Sequence, residues 1–241
     1  LVLPASDLRE AARQQIAQTT LELLKKQSDS FAIFDFLSAP QAAGWPQPFI
    51  AATISDPGTV MPLNWPTFEA WLDSGNKKDR QHYKRTLREA EKLGLGLARH
   101  PGPHRLDEAL PLIRAVEKRH DSPPNPWARA MLENMAMVNG IYLTVTLGER
   151  LVGCGLLLED NGAQMTTALG LATDVPYVYF LLIYESLKIA FERQIRLLRW
   201  GSGAYDIKKR LGFQMEDNNT ILYATSNPIM QKIGQWLGRF A

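Results

Sequence analysis

The sequence holds a single cysteine, Cys154, in 241 residues. A lone thiol excludes an internal disulfide, a structural zinc built on several thiolates, and an iron–sulfur cluster. Histidine is scarce too, at four, and with one cysteine no nucleophile–base spacing emerges, so no catalytic triad is legible. No metal is expected. No apolar run reaches the roughly 18 residues that a membrane span needs, and the first residues lack the basic-then-apolar order of a secretory signal. The chain is therefore expected to be cytoplasmic, with no membrane span. Internal repeats and low-complexity tracts are missing as well. Hydrophobic residues at 45% against 22% charged describe a packed fold rather than a disordered one.

Net charge is only +2, but it is unevenly spread. Lys77 to Arg119 carries 12 basic against 6 acidic residues and Lys188 to Arg210 carries 7 against 2, while the remainder carries 8 against 17. Two basic segments on an otherwise acidic chain suit either a local site for an anion such as phosphate or two solvated helix faces.

Pattern and punctuation divide the chain in two. Residues up to Lys26 have helical composition, Phe31–Leu37 reads as a buried strand, and Ser38–Pro48 reads as a loop. Short strands follow at Phe49–Ile54 and Val60–Leu63. Pro66 is placed to open a helix running to about Asp73, and a second helix runs from Lys77 until Gly94 stops it. On that second helix Tyr83, Leu87 and Ala90 form the apolar stripe. Arg80, Lys84 and Arg88 share another face at four-residue spacing. After a strand at Leu95–Arg99 come helices at Leu106–His120 and Trp127–Val138, in which Met135, Met137 and Trp127 read as core or cleft wall, as Trp200 does.

From Gly140 the pattern turns to strands: Ile141–Leu147, Leu151–Glu159 and Ala163–Ala172, the last two joined by Asn161-Gly162, a strong hairpin signal. A long helix at Tyr177–Arg193 is apolar nearly all round and so is expected to be buried against the sheet. It is followed by a strand at Arg196–Trp200, a glycine turn, a short helix at Tyr205–Leu211, a strand at Thr220–Ala224 and a helix at Ile229–Phe240. The expected class is α+β, with a mostly antiparallel central sheet and flanking helices.

The element order from Leu95 onward resembles the GNAT superfamily of acyltransferases. Three motifs are similar to its Fem-type branch and the exopolysaccharide-associated bacterial relatives: Lys78-Asp79-Arg80-Gln81-His82-Tyr83-Lys84-Arg85-Thr86-Leu87-Arg88, Thr167-Ala168-Leu169-Gly170 with Asp174, and Trp200-Gly201-Ser202-Gly203-Ala204-Tyr205-Asp206-Ile207-Lys208. The resemblance implies that the strands at Ala163–Ala172 and Arg196–Trp200 splay apart to admit the extended arm of an acyl donor. Backbone N–H groups freed by the splay would then hold the donor and stabilise an oxyanion. It also implies Tyr205 as the acid for a leaving thiolate and His120 with Asp121 as the base, ahead of Glu159 or Asp160. Leu169, Gly170, Gly201, Gly203 and Lys208 would bind the donor. Arg80, Lys84, Arg88 and Trp200 would bind the acceptor substrate.

Acyl-CoA, acetyl-CoA in particular, is the expected donor, and aminoacyl-tRNA, which Fem-type relatives use, is the alternative. The pyrophosphate loop of the wider superfamily, Arg/Gln-x-x-Gly-x-Gly/Ala, is replaced here by Leu169-Gly170-Leu171-Ala172-Thr173-Asp174-Val175-Pro176, where Asp174 would repel a phosphate. The expected activity is N-acyl or aminoacyl transfer to an amine of a cell-envelope precursor or small metabolite. A non-catalytic module that binds an anionic ligand or a protein is the alternative. Residues 1–65 are expected to form a partial lobe, a remnant of a tandem GNAT-like domain, and 66–241 the acyltransferase domain. Exposed apolar residues of the first part, such as Phe31 and Phe34, suggest a homodimer.

Overall fold

Turn and cap chemistry set several element boundaries in the computed structural model, which describes residues 8–53 and 56–237. In chain order the elements are α1 (Leu8–Gln27), β1 (Ala32–Leu37), α2 (Ala39–Ala42), β2 (Ile50–Thr53), β3 (Thr59–Pro62), α3 (Phe68–Ser74), α4 (Lys77–Leu93), β4 (Leu95–His100) and α5 (Leu106–Arg119). Then come α6 (Ala128–Asn134), running into a 3-10 turn at Met135–Val138, β5 (Ile141–Leu147), β6 (Arg150–Asp160), β7 (Ala163–Leu171) and α7 (Val178–Glu192). The chain continues with β8 (Leu197–Trp200), α8 (Tyr205–Arg210), β9 (Gln214–Met215), β10 (Thr220–Ala224) and α9 (Pro228–Leu237).

The contacts group these into two units, one of residues 60–214 and one of residues 1–59 with 215–241. The division differs from a simple break after residue 65, because β10 belongs with the N-terminal segment: it lies between β1 and β2 in a three-stranded antiparallel sheet. Sequence proximity could not show this, since the pairing joins residues nearly 200 apart. Phe49, Leu37, Ala17 and Leu222 are the core of this unit, with Phe34 and Trp45 packed on it. β1 is less buried than its composition suggests, for Ile33 and Phe36 are exposed, as is Phe31 just before it. The Ser38–Pro48 loop contains α2, at whose start Gln41 Oε1 accepts from the Ser38 amide and hydroxyl.

In the larger unit the sheet order is β4-β5-β6-β7-β8-β3-β9. The run from β4 to β7 is an antiparallel meander, and β7 pairs in parallel with β8. The β6–β7 hairpin turns on Asn161 and Gly162, both at positive φ (49° and 75°), as a tight two-residue turn requires. β6 is central and is buried over seven consecutive residues. α7 buries nine of its residues, mostly Leu, Ile and Ala, against one face. It can approach closely because Gly153 on β6 has no side chain: a Cβ there would sit 2.1 Å from Val178 Cγ1. The other face is covered by α5 and α6, through Ala109, Ile113, Leu132 and Met135.

Asn76 caps α4 by accepting from the Asp79 amide, and Gly94 ends it in the left-handed conformation, φ 71°. Some local expectations shift. Thr67, not Pro66, starts α3, because its side chain accepts the Ala70 amide. Leu87 is exposed, and Thr86 joins Ala90 on the buried face of α4. Trp127 and Met137 are exposed as well, whereas Met135 and Trp200 are core.

Candidate active site

The feature that defines the site is the end of the β7–β8 pairing. It runs from Ala163 against Leu197 to Thr166 against Trp200, where β8 stops while β7 continues to Leu171. Within that continuation β7 carries an extra residue relative to β6. Leu156 faces Thr167 and Cys154 faces Gly170, so one intervening residue on β6 opposes two on β7. Ala168 absorbs the bulge with φ 47°, a conformation that costs an L-residue on the order of 1 kcal/mol and that the surrounding pairing must hold in place.

Thr166 stands where the two strands part. Its Oγ1 is buried and has no hydrogen-bond partner among the described residues. By strand alternation it shares a face with Gln164, whose amide donates to the Ser186 carbonyl of α7. A buried hydroxyl of this kind at a strand opening fits an extended donor that brings its own amide or carbonyl groups.

Beyond Trp200 the chain makes the loop Gly201–Ala204. Gly201 and Gly203 face open space, with no heavy atom within 4 Å of where a Cβ would lie. Gly203 (φ 80°) and Ala204 (φ 48°) turn the backbone left-handed into α8. Lys208 fixes this loop from beneath: its ammonium donates to the carbonyls of Gly201 and, at 3.2 Å, of Ser202. The side chain is 6% exposed, and burial pulls its pKa down to about 8. A cation is thereby held against the chain just past the end of β8. Tyr205, half-buried, is the first residue of α8.

The other expected residues are placed differently. Gly170 is a packing glycine, since a Cβ there would meet Cys154 Sγ at 2.7 Å and the Ile113 backbone nitrogen at 2.9 Å; that face of it is filled by α5. Leu169 packs on the apolar cluster under α7. Trp200 is buried and stacks on Phe213, with ring centroids 4.2 Å apart, which makes it core rather than substrate contact. Arg80 is occupied by the carbonyls of Asp73 and Gly75, tying α4 to the turn before it. Lys84 and Arg88 are exposed, and Arg88 pairs with Glu89. His120 and Asp121 are exposed at the end of α5, seven residues past Ile113 and so about 10 Å along the helix from the Gly170 contact. Lys208 is turned toward backbone carbonyls, not outward toward a phosphate.

Asp174, in the turn before α7, is held by Arg150 through two bonds of 2.7 and 2.9 Å, which keeps its carboxyl below the usual range. Its charge is thus answered by a guanidinium at the same turn. Thr166, the Ala168 bulge and Arg150 were not singled out in the sequence, because each acquires meaning only through pairing with a distant strand. Among the described residues no group of three or more His, Cys, Asp or Glu is arranged to hold a metal.

The comparisons with known proteins agree with this architecture. The sequence profile described as acetyltransferase (GNAT) domain matches residues 77–209, more than half of the chain. The chain belongs to the GNAT acetyltransferase family, and acyl transfer is the chemistry of its class. No curated protein matches it. Among solved structures, FemX is similar at 11% identity and TM-score 0.59, over 94% of this chain and 80% of that one. L-PGS from Bacillus licheniformis is similar at 10% identity and TM-score 0.57, over 97% and 80%. A tandem GNAT protein from the clavulanic acid biosynthesis pathway is similar at 14% identity and TM-score 0.55, over 95% and 74%. At these identities the likeness is one of fold, and it is the Fem-like form of the GNAT fold that the motifs suggested. Among the described residues no helix is long and apolar enough to cross a membrane.

Proposed function

We propose that the protein transfers an acyl or aminoacyl group from a thioester or tRNA-ester donor to an amine of a small metabolite or cell-envelope precursor, in the opening between β7 and β8. The observation that carries this reading is the continuation of β7 past Thr166, where β8 has ended, with the Ala168 bulge within it and the Lys208 ammonium on the loop that follows β8. The donor lies along Thr167–Leu171, its carbonyl toward the amides of that edge and its polar arm against Thr166 Oγ1. The acceptor nitrogen attacks the carbonyl carbon directly, and the carbon–sulfur or carbon–oxygen bond breaks as the carbonyl reforms. The nitrogen sheds its proton to water, and Tyr205 protonates the departing atom. Lys208 holds the loop and places positive charge beside the oxyanion, a form of stabilisation worth about 3 kcal/mol when one donor of such a site is removed.

For acyl-CoA, Arg150 at the start of β6, which reaches Asp174, and the first amides of α7, which Tyr177 leaves without a side-chain cap, stand near the turn before α7. This suits a phosphate better than the sequence of the turn alone suggests. Thermal-shift titration with acetyl-CoA, longer acyl-CoAs and CoA tests the donor, because a ligand that binds only the native state raises the midpoint with saturation. A saturable rise followed by amine-dependent release of CoA is expected. No rise with acyl-CoA, together with transfer from aminoacyl-tRNA, would reassign the donor; neither would refute the reading.

A further inference from the structure

A second cavity, outside the β7–β8 opening, lies at the far end of α8. It encloses about 180 Å³ and is lined by Trp65, Trp71, Leu211, Tyr184, Asp79 and Arg210 among others. A cavity of about 150 Å³ accommodates benzene, so this one holds about seven non-hydrogen atoms, with any further atoms of a ligand toward its open side. Its polar groups are of opposite sign and adjacent. Arg210 Nη2 donates to Asp79 Oδ1 at 3.2 Å, a single contact rather than the bidentate fork that both groups are built to make. Asp79 Oδ2 lies over Gly75, where even a Cβ would come within 3.8 Å of it. The Arg210 side chain is 62% exposed and can move aside, while Asp79 at 20% is held in the first turn of α4. The Tyr184 hydroxyl, bonded to His82 Nδ1 at 2.9 Å, stands at the same wall.

We propose that this cavity binds a free α-amino acid of modest size with an apolar side chain. A ligand with one charge would attract one of the two groups and face the like charge of the other a few ångströms away. A zwitterion meets both: its ammonium goes to Asp79 and its carboxylate to Arg210, which exchanges one contact with Asp79 for a fork on the ligand. The walls of Trp65, Trp71 and Leu211 then take the side chain. This site is independent of the acyl-transfer reading, since binding needs no donor.

Calorimetric titration of the full chain with L-alanine, L-valine and L-leucine tests it, alongside N-acetyl-leucine, which keeps only the carboxylate, and leucinamide, which keeps only the ammonium. Saturable binding of at least one of the three amino acids is expected, weakened about tenfold or more in each singly charged analogue and in both Asp79→Asn and Arg210→Gln, a free-energy change of about 1.4 kcal/mol. Arg210→Gln replaces an exposed side chain, so its fold is checked independently by its circular dichroism. Failure of all three amino acids to bind, analogues that bind as tightly as the zwitterion, or binding unchanged in both folded variants would each overturn the proposal.

Discussion

Gly170 lies on β7 and Gly201 just past the end of β8, and the family resemblance assigned them the same donor-binding role, yet the fold uses them in opposite ways. At Gly170 the missing side chain is filled by protein, the backbone of α5 and the sulfur of Cys154. At Gly201 nothing within 4 Å fills it. A glycine that lets two elements touch is a statement about stability, and a glycine that leaves room beside an open edge is one about ligands. The two are indistinguishable in sequence and separate at once in the structure.

Substitutions sharpen the contrast. The largest effect is expected for Lys208→Met, which removes the cation beside the opening: turnover should fall about 100-fold while the fold survives. Kinetics on the purified variant with a working donor–amine pair check this, and unchanged turnover would return Lys208 to a purely structural place. Gly170→Ala comes next, because its Cβ would press on the Ile113 backbone, which cannot rotate away; a loss of about 3 kcal/mol in urea unfolding is expected. Tyr205→Phe should lower turnover about tenfold or more with little change in donor binding, the pattern of a group used at the chemical step. Gly203→Ala costs about 1 kcal/mol for its positive φ, while Gly201→Ala should stay within about 0.5 kcal/mol.

Lys208 also predicts a pH dependence whose sign is fixed. Its pKa in the fold is about 8, against an ordinary value of 10.5, so between these values the unfolded chain binds more protons than the folded one. Stability contributed at this position therefore rises as pH climbs from about 8 to 10.5 and is least below 8. Comparing wild type with Lys208→Met by denaturant unfolding at pH 7.5 and 10 isolates it: the difference between them should shift in favour of wild type at the higher pH. A constant difference would mean the lysine is not desolvated.

Much of the fold was legible because it rests on local chemistry. Asn161-Gly162 fixes the β6–β7 hairpin, the Gly94 cap ends α4, and the apolar wrap of α7 announces its burial. What stayed hidden depends on contacts between distant residues. β3 enters the sheet beside β8, β10 joins the N-terminal strands, and the extra residue in β7 exists only relative to β6. The site divides the same way. The glycine loop with Tyr205 and Lys208 was found as a motif and Trp200 was read as core or cleft wall, but the inward turn of Lys208 and the packing of Gly170 were not found, because composition does not say which way a side chain faces.

The central claim is that the edge of β7 beyond Thr166 receives the acyl donor. Amide hydrogen exchange over Thr167–Leu171, with and without saturating acetyl-CoA or an aminoacyl-tRNA, whichever the protein turns over, tests it most directly. Exchange there should slow about tenfold or more when the donor binds, with the Asn161-Gly162 end of the hairpin unchanged. Turnover of a donor that leaves these amides exchanging as before would place the chemistry elsewhere and contradict the account.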